Sequence, residues 1–202
     1  YEFLPWLNEA GLMKSIDLWV AGEALEQDTV WQEAGVEVPI KINVTGATLS
    51  EKVATNELIN KISQAKGRIS IEIIEQDFSS SLAEVIDAIK RIHDFGGKVY
   101  IDDFGTGYSS MGYIHKLPID ILKIDRTFVA DVTKNVKSQA IVSAITKLSS
   151  SLGIKTIAEG VEQIEDAKWL EEFDCDYGQG YLYHQALTIE DFEKKYIEPT
   201  KK

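Results

Sequence analysis

The sequence is poor in the residues that several chemistries require. It holds one cysteine, Cys175, in 202 residues, so neither a disulfide framework nor a thiolate metal cluster can form, and a reducing compartment fits. Basic residues are outnumbered 33 to 21, for a net charge of −12. That balance argues against non-specific binding to DNA or anionic membranes, both of which need a basic surface. A phosphate ligand here would need metal to offset the acid. No apolar run approaches the roughly 18 residues of a membrane helix, and no signal-peptide pattern opens the chain. The reading is of a soluble, cytoplasmic domain whose parent protein remains free to attach to a membrane through other domains. A Gly-rich phosphate loop, a serine nucleophile elbow and a dinucleotide fingerprint are all missing. The three histidines, His93, His115 and His184, fall on separate elements without metal-ligand spacing and read as surface or packing residues.

What is present is enough apolar residue, 44%, to bury one core, so residues 1–202 read as one domain. The chain opens at Tyr1 without Met and runs directly into helical periodicity, which reads as an artificial start. Apolar residues at Leu4, Leu7, Leu12, Ile16, Trp19, Val20 and Leu25 predict helix over 5–33, interrupted at Gly11. Strands follow at 38–44, 69–74, 98–102, 119–124, 155–158 and 177–183. Helices are expected over 50–66, 82–95, 138–152 and 162–173, with Ser79-Ser80-Ser81 as a helix start.

Strands alternating with helices imply parallel pairing, in either a doubly wound sheet or a (β/α)8 barrel. Polar residues decide between them. Nearly every strand ends in an ionisable or amide side chain, which suits a barrel whose functional face is assembled from all the strand C-termini.

Glu72 lies among β-branched neighbours and must meet a cation or a donor. Taken alone, it reads more readily as salt-bridged than as metal-bound. Asp102 and Asp103 are adjacent carboxylates that repel unless a positive charge joins them, although capping of the following loop is an equal alternative. That loop, with Gly105, Thr106, Gly107, Ser109 and Ser110, reads as a lid. Lys123 is a cation inside an apolar strand, facing the acidic cluster or stiffening the barrel mouth by ion pairing. Glu159, followed by Gly160, adds another strand-end carboxylate, and Asn43 offers a neutral carbonyl oxygen of the kind Mg2+ or Mn2+ accepts. Oxygen-only ligation points to hard cations, and metal-assisted hydrolysis is the leading reaction class.

Four stretches then carry a resemblance. Asp102-Asp103-Phe104-Gly105-Thr106-Gly107-Tyr108-Ser109-Ser110, Leu117-Pro118-Ile119-Asp120-Ile121-Leu122-Lys123-Ile124-Asp125, Ala158-Glu159-Gly160-Val161-Glu162 and Tyr177-Gly178-Gln179-Gly180-Tyr181 strongly resemble the EAL-domain family. The resemblance implies a (β/α)8 TIM-type barrel that hydrolyses the bacterial second messenger cyclic di-GMP to linear pGpG with two Mg2+ or Mn2+ ions. It implies that Asn43, Glu72 and Asp102 hold one metal, and that Asp102 bridges to a second held also by Asp103 and Glu159. The ions would lie roughly 3.5–4 Å apart, with an activated water attacking phosphorus in line. Lys123 would position that water, Glu159 would help deprotonate it, Gln179 would complete the site, and Glu75 would anchor the 103–110 loop. It also implies a homodimer and, in the parent protein, upstream sensor or GGDEF-type domains.

The departures are specific. The glutamate of the Glu-Ala-Leu signature is not in this chain, and Glu23-Ala24-Leu25 lies on the first helix as a decoy. The first two barrel strands are expected to be absent with the signature, so the domain reads as N-terminally truncated and the 202-residue piece as a poor catalyst by itself. Ile74, Gln76 and Gln185-Ala186 replace the usual family residues. A catalytically inactive cyclic di-GMP receptor is the alternative.

Overall fold

The computed structural model describes residues 4–74, 82–105 and 114–197. Among them, six strands form one sheet in the order β1 (Ile40–Asn43), β2 (Ile69–Ile74), β3 (Val99–Phe104), β4 (Ile121–Ile124), β5 (Lys155–Ala158) and β6 (Tyr177–Gly178). Every adjacent pair is parallel. Strand order equal to chain order, with no reversal, removes the switch point that defines a doubly wound sheet. Successive crossovers of one hand then place their helices on one face, and the sheet curls as part of a (β/α)8 barrel.

The helices are α1 (Leu4–Glu9), α2 (Met13–Glu33), α3 (Gly46–Ser50), α4 (Lys52–Ile62), α5 (Leu82–His93), α6 (Arg126–Val129), α7 (Val136–Leu152), α8 (Ile164–Glu172) and α9 (Ile189–Phe192). The break expected at Gly11 is there, at φ +68°. The helix expected over 50–66 is α4, continued by a 3-10 turn over Ser63–Ala65, and the short α3 ahead of it is an addition. Glu51, in extended backbone between the two, accepts hydrogen bonds from the Val53 and Ala54 amides and caps α4. In α5 the buried residues Val85, Ala88, Ile89 and Ile92 recur at helical spacing, and this stripe seats the helix on the sheet.

Strand side chains alternate between faces. The helix-covered face is apolar but for Thr156: Ile42, Val44, Ile69, Ile71, Ile73, Val99, Ile101, Leu122, Ile124 and Ala158 are all buried. The opposite, concave face carries Lys41, Asn43, Glu72, Tyr100, Asp102, Lys123, Ile157 and Tyr177, as the registers Asn43↔Glu72↔Tyr100↔Ile121 and Lys123↔Ile157↔Tyr177 require. The last strand is shorter than the 177–183 expected. After Gly178 the chain turns back, with the Leu182 amide donating to the Val161 carbonyl and the Tyr183 amide to that of Gly180.

Two buried carboxylates brace the framework. Asp28 takes a two-pronged ion pair from Arg68, both contacts at 2.8 Å. Asp17 accepts from the Thr45 amide and from the hydroxyls of Thr45 and Thr48, fixing the turn that leaves β1.

Candidate metal centre

Five carboxylate or amide side chains come to one end of the sheet because the four strands that carry them, β1, β2, β3 and β5, point the same way and end at the same level. Asn43 closes β1 opposite Glu72, Ile74 of β2 is level with Asp102, and Glu159 follows β5 directly, its amide donating to the Ile124 carbonyl. Gly160 makes the turn that holds Glu159 there, at φ +67° and so close to α6 that a Cβ would stand 2.7 Å from Arg126 Cβ. Only glycine fits both conditions.

Asp102 and Asp103 raise a problem, since neighbours in a strand face opposite ways. The structure answers it with a register shift. Ile101 pairs with Leu122 but Phe104 pairs with Ile124, so β3 spends one more residue than β4 between the two pairs. The extra residue is accommodated as a bulge, with Asp103 in left-handed backbone at φ +54°, a conformation aspartate tolerates better than most residues. The Asp103 amide donates to Asp102 Oδ1 at 3.0 Å. As a result, carboxylate oxygens of Asp102, Asp103 and Glu159 lie within 4.8 Å of one another. Sequence reading anticipated the pair of aspartates but not the bulge; the neighbouring Phe104-Gly105 pair was its only trace.

Lys123 stands at the centre of this acid. Its Nζ is 2.6 Å from Glu159 Oε1, 2.9 Å from Asp102 Oδ1 and 3.2 Å from Glu72 Oε2, and its side chain is buried. Burial alone would lower the ammonium's pKa, but Glu159, Glu72 and Asp102 more than offset it, and the net shift is upward. Lys123 thus faces the acidic cluster and is ion-paired within it. Burial raises the carboxyls of Asp103 and Glu159 above their ordinary range. For Asp103 the neighbouring charges of Asp102 and Asp125 push the same way, whereas Lys123 pulls Glu159 back.

A second lysine, Lys41, places its Nζ 2.8 Å from Glu72 Oε1. Even so, among the described residues four carboxylates, Glu72, Asp102, Asp103 and Glu159, share two ammonium groups, and the buried Glu72 Oε1 accepts no hydrogen bond. An acidic cluster left net negative, with oxygen donors and an unsatisfied buried oxygen, has the chemistry of a hard-cation site.

Gln179 follows β6, with its backbone tied to both ends of the neighbouring turn: its amide donates to Ala158 and its carbonyl accepts from Val161. Its side chain lines a cleft of about 480 Å3 on the concave face, together with Lys41, Tyr100, Ile157 and Tyr177. His93 pairs with Asp120 at the opposite end of β4, 2.9 Å apart, and takes no part in the cluster. Glu75, the expected lid over 106–110 and the serines at 79–81 lie outside the described residues.

With this arrangement in view, comparison with known proteins is direct. The family model for the EAL domain matches residues 1–186. The chain belongs to the EAL domain family. A probable cyclic di-GMP phosphodiesterase of Escherichia coli (strain K12), PdeB, is 34% identical over 195 residues, 95% of this chain and 37% of that protein. The signaling protein YkoW of Bacillus subtilis (strain 168) is 31% identical, matching 98% of this chain and 25% of its own length. The chain therefore spans 25% to 37% of these curated relatives. Among solved EAL structures, the PaMucR phosphodiesterase in complex with c-di-GMP superposes with a TM-score of 0.85 at 30% identity, covering 95% of this chain and 79% of that one. The EAL domain protein of Listeria monocytogenes EGD-e gives 0.78 at 32%, covering 96% and 76%. No helix among the described residues is long and apolar enough to cross a membrane.

Proposed function

We propose that this domain hydrolyses cyclic di-GMP to linear pGpG with two divalent ions, Mg2+ or Mn2+, held at the strand ends. The observation that carries the reading is the convergence of Asp102, Asp103 and Glu159 within 4.8 Å around a buried lysine. Asn43, Glu72 and Asp102 would hold one ion, and Asp102, Asp103 and Glu159 the other. When bound, the ions would supply Lewis-acid activation of water and of the phosphodiester.

The remaining work falls to this chain's own groups. Lys123, an ammonium with three carboxylate partners, donates to and orients the attacking water. Glu159, whose carboxyl is raised by burial, is placed to accept that water's proton. Attack on phosphorus breaks one P–O3′ bond and leaves the 5′-phosphate of pGpG. Gln179, at the rim of the cleft, orients the nucleotide. Glu75 anchors the loop beyond Gly105. Homodimerisation belongs to the same reading, as do sensor or GGDEF-type domains elsewhere in the protein; in the relatives above, the matched region also works beside other segments.

The test measures binding and turnover side by side. In the full-length protein, cyclic di-GMP should be converted to pGpG with Mn2+ or Mg2+, and Asp103→Asn should abolish conversion. Tight binding of intact cyclic di-GMP without turnover would replace the enzyme with a receptor.

A further inference from the structure

Glu72 is held by two lysines, one at each oxygen: Oε2 lies 3.2 Å from Lys123 Nζ and Oε1 2.8 Å from Lys41 Nζ. Lys123 is accounted for by its place among Glu159 and Asp102. Lys41 is not. It sits on β1 two residues before Asn43 and shares its concave face. The contact with Oε1 is electrostatic, without hydrogen-bond geometry, and that oxygen is buried with no other donor. Lys41 thus covers the one oxygen of Glu72 that is otherwise unsatisfied.

The lysine also has somewhere to go. Its Nζ is 5.0 Å from the centroid of the Tyr100 ring, within cation–π range, and its side chain is 33% exposed where it lines the cleft.

We propose that Lys41 is a built-in competitor for metal at Glu72. An ammonium and a divalent ion cannot both sit against Oε1, so loading the Asn43–Glu72 end requires Lys41 to leave Glu72 and swing out into the cleft that it lines. Lys123 touches both ends of the site, through Glu72, Asp102 and Glu159, whereas Lys41 adds a second ammonium at Glu72 alone; Asp102, Asp103 and Glu159 therefore take their ion first, and Asn43 and Glu72 take theirs more weakly. This inference rests on the metal reading of the cluster.

The experiment is calorimetric titration of Mn2+ into the metal-free protein. It compares wild type, Lys41→Met and Lys41→Gln, each also in a Glu72→Gln background so that coupling through Glu72 is measured directly. Wild type should show a tighter and a weaker step. Either Lys41 variant should tighten the weaker step about tenfold and leave the tighter one in place, and Glu72→Gln should erase that gain. Because Lys41→Gln keeps the side chain's polarity, it serves if Lys41→Met folds poorly. A weaker step that is unchanged or further weakened in the folded variants overturns the inference while leaving the metal reading intact. Wild-type protein that takes up no Mn2+ overturns both.

Discussion

Replacing Lys123 with methionine keeps most of the side-chain volume and removes the charge. In metal-free protein this leaves Glu72, Asp102 and Glu159 without the ammonium that stands 2.6 to 3.2 Å from each. Breaking a buried ion pair by removing one partner costs about 3–5 kcal/mol. The three carboxylate side chains are 9% to 18% exposed, so water softens the loss and the lower end, about 3 kcal/mol, is expected. For a domain of this length that corresponds to a fall in Tm of roughly 10 °C. Divalent ions neutralise the same oxygens, so the gap between Lys123→Met and wild type should narrow by at least half when Mn2+ is added. Turnover of cyclic di-GMP should nevertheless stay at least about 100-fold down, because the group that orients the water is gone. Thermal melts in EDTA and in Mn2+, together with chromatographic assay of pGpG, read all three quantities. A variant as stable as wild type in EDTA, or a gap that Mn2+ leaves unaltered, would refute the view that Lys123 stands in for positive charge at the cluster.

Other expectations follow from the same geometry. Asp103 and Glu159 have pKa values raised in the folded state. Their contribution to stability is thus present below the unfolded values near 4 and is lost as pH rises through the raised ones. In EDTA, Asp103→Asn should accordingly gain on wild type as pH goes from about 4 to 7, and a flat difference between their melts would contradict it. Gly160→Ala forces a Cβ to 2.7 Å from Arg126 at positive φ; it should cost about 1–3 kcal/mol and lower turnover more than tenfold by displacing Glu159, which denaturant titration and activity assay would check. Arg68→Ala strands the buried Asp28 and should cost about 3–5 kcal/mol. Calorimetry should show its Mn2+ affinity unchanged, since Arg68 precedes β2 at the end of the sheet away from the cluster.

Much of this was legible because each strand reports itself twice, by an apolar run and by the polar residue that closes it. Ile69–Ile74 and Ile121–Ile124 are each flanked by turn or helix signals, and Glu72 and Lys123 stood out there as charges in apolar strands, each in need of a partner. The concave arrangement follows from parity once Asn43 and Glu72 are aligned. Other features were hidden for physical reasons. The bulge at Asp102-Asp103 depends on how β3 and β4 register, a long-range property that no local pattern encodes. The short α3 ahead of the helix expected over 50–66 went unseen, because Glu51 ends one helix and caps the next inside a continuous pattern that periodicity alone does not divide. Lys41 carries no signal of its own in the strand; the register of β1 against β2 puts it on the same face as Asn43 and Glu72. The last strand ended early because the backbone beyond Gly178 satisfies its hydrogen bonds in a turn against Val161.

The central claim is that the carboxylates gathered at the strand ends are a divalent metal site. Mn2+ titration followed by electron paramagnetic resonance tests it most directly, with Asp103→Asn measured beside wild type. Saturable binding in wild type, with a signal broadened by a nearby second ion at full occupancy, is the predicted result, and Asp103→Asn should lose the tighter ion. Binding that never saturates, or that is the same in both proteins, would contradict it.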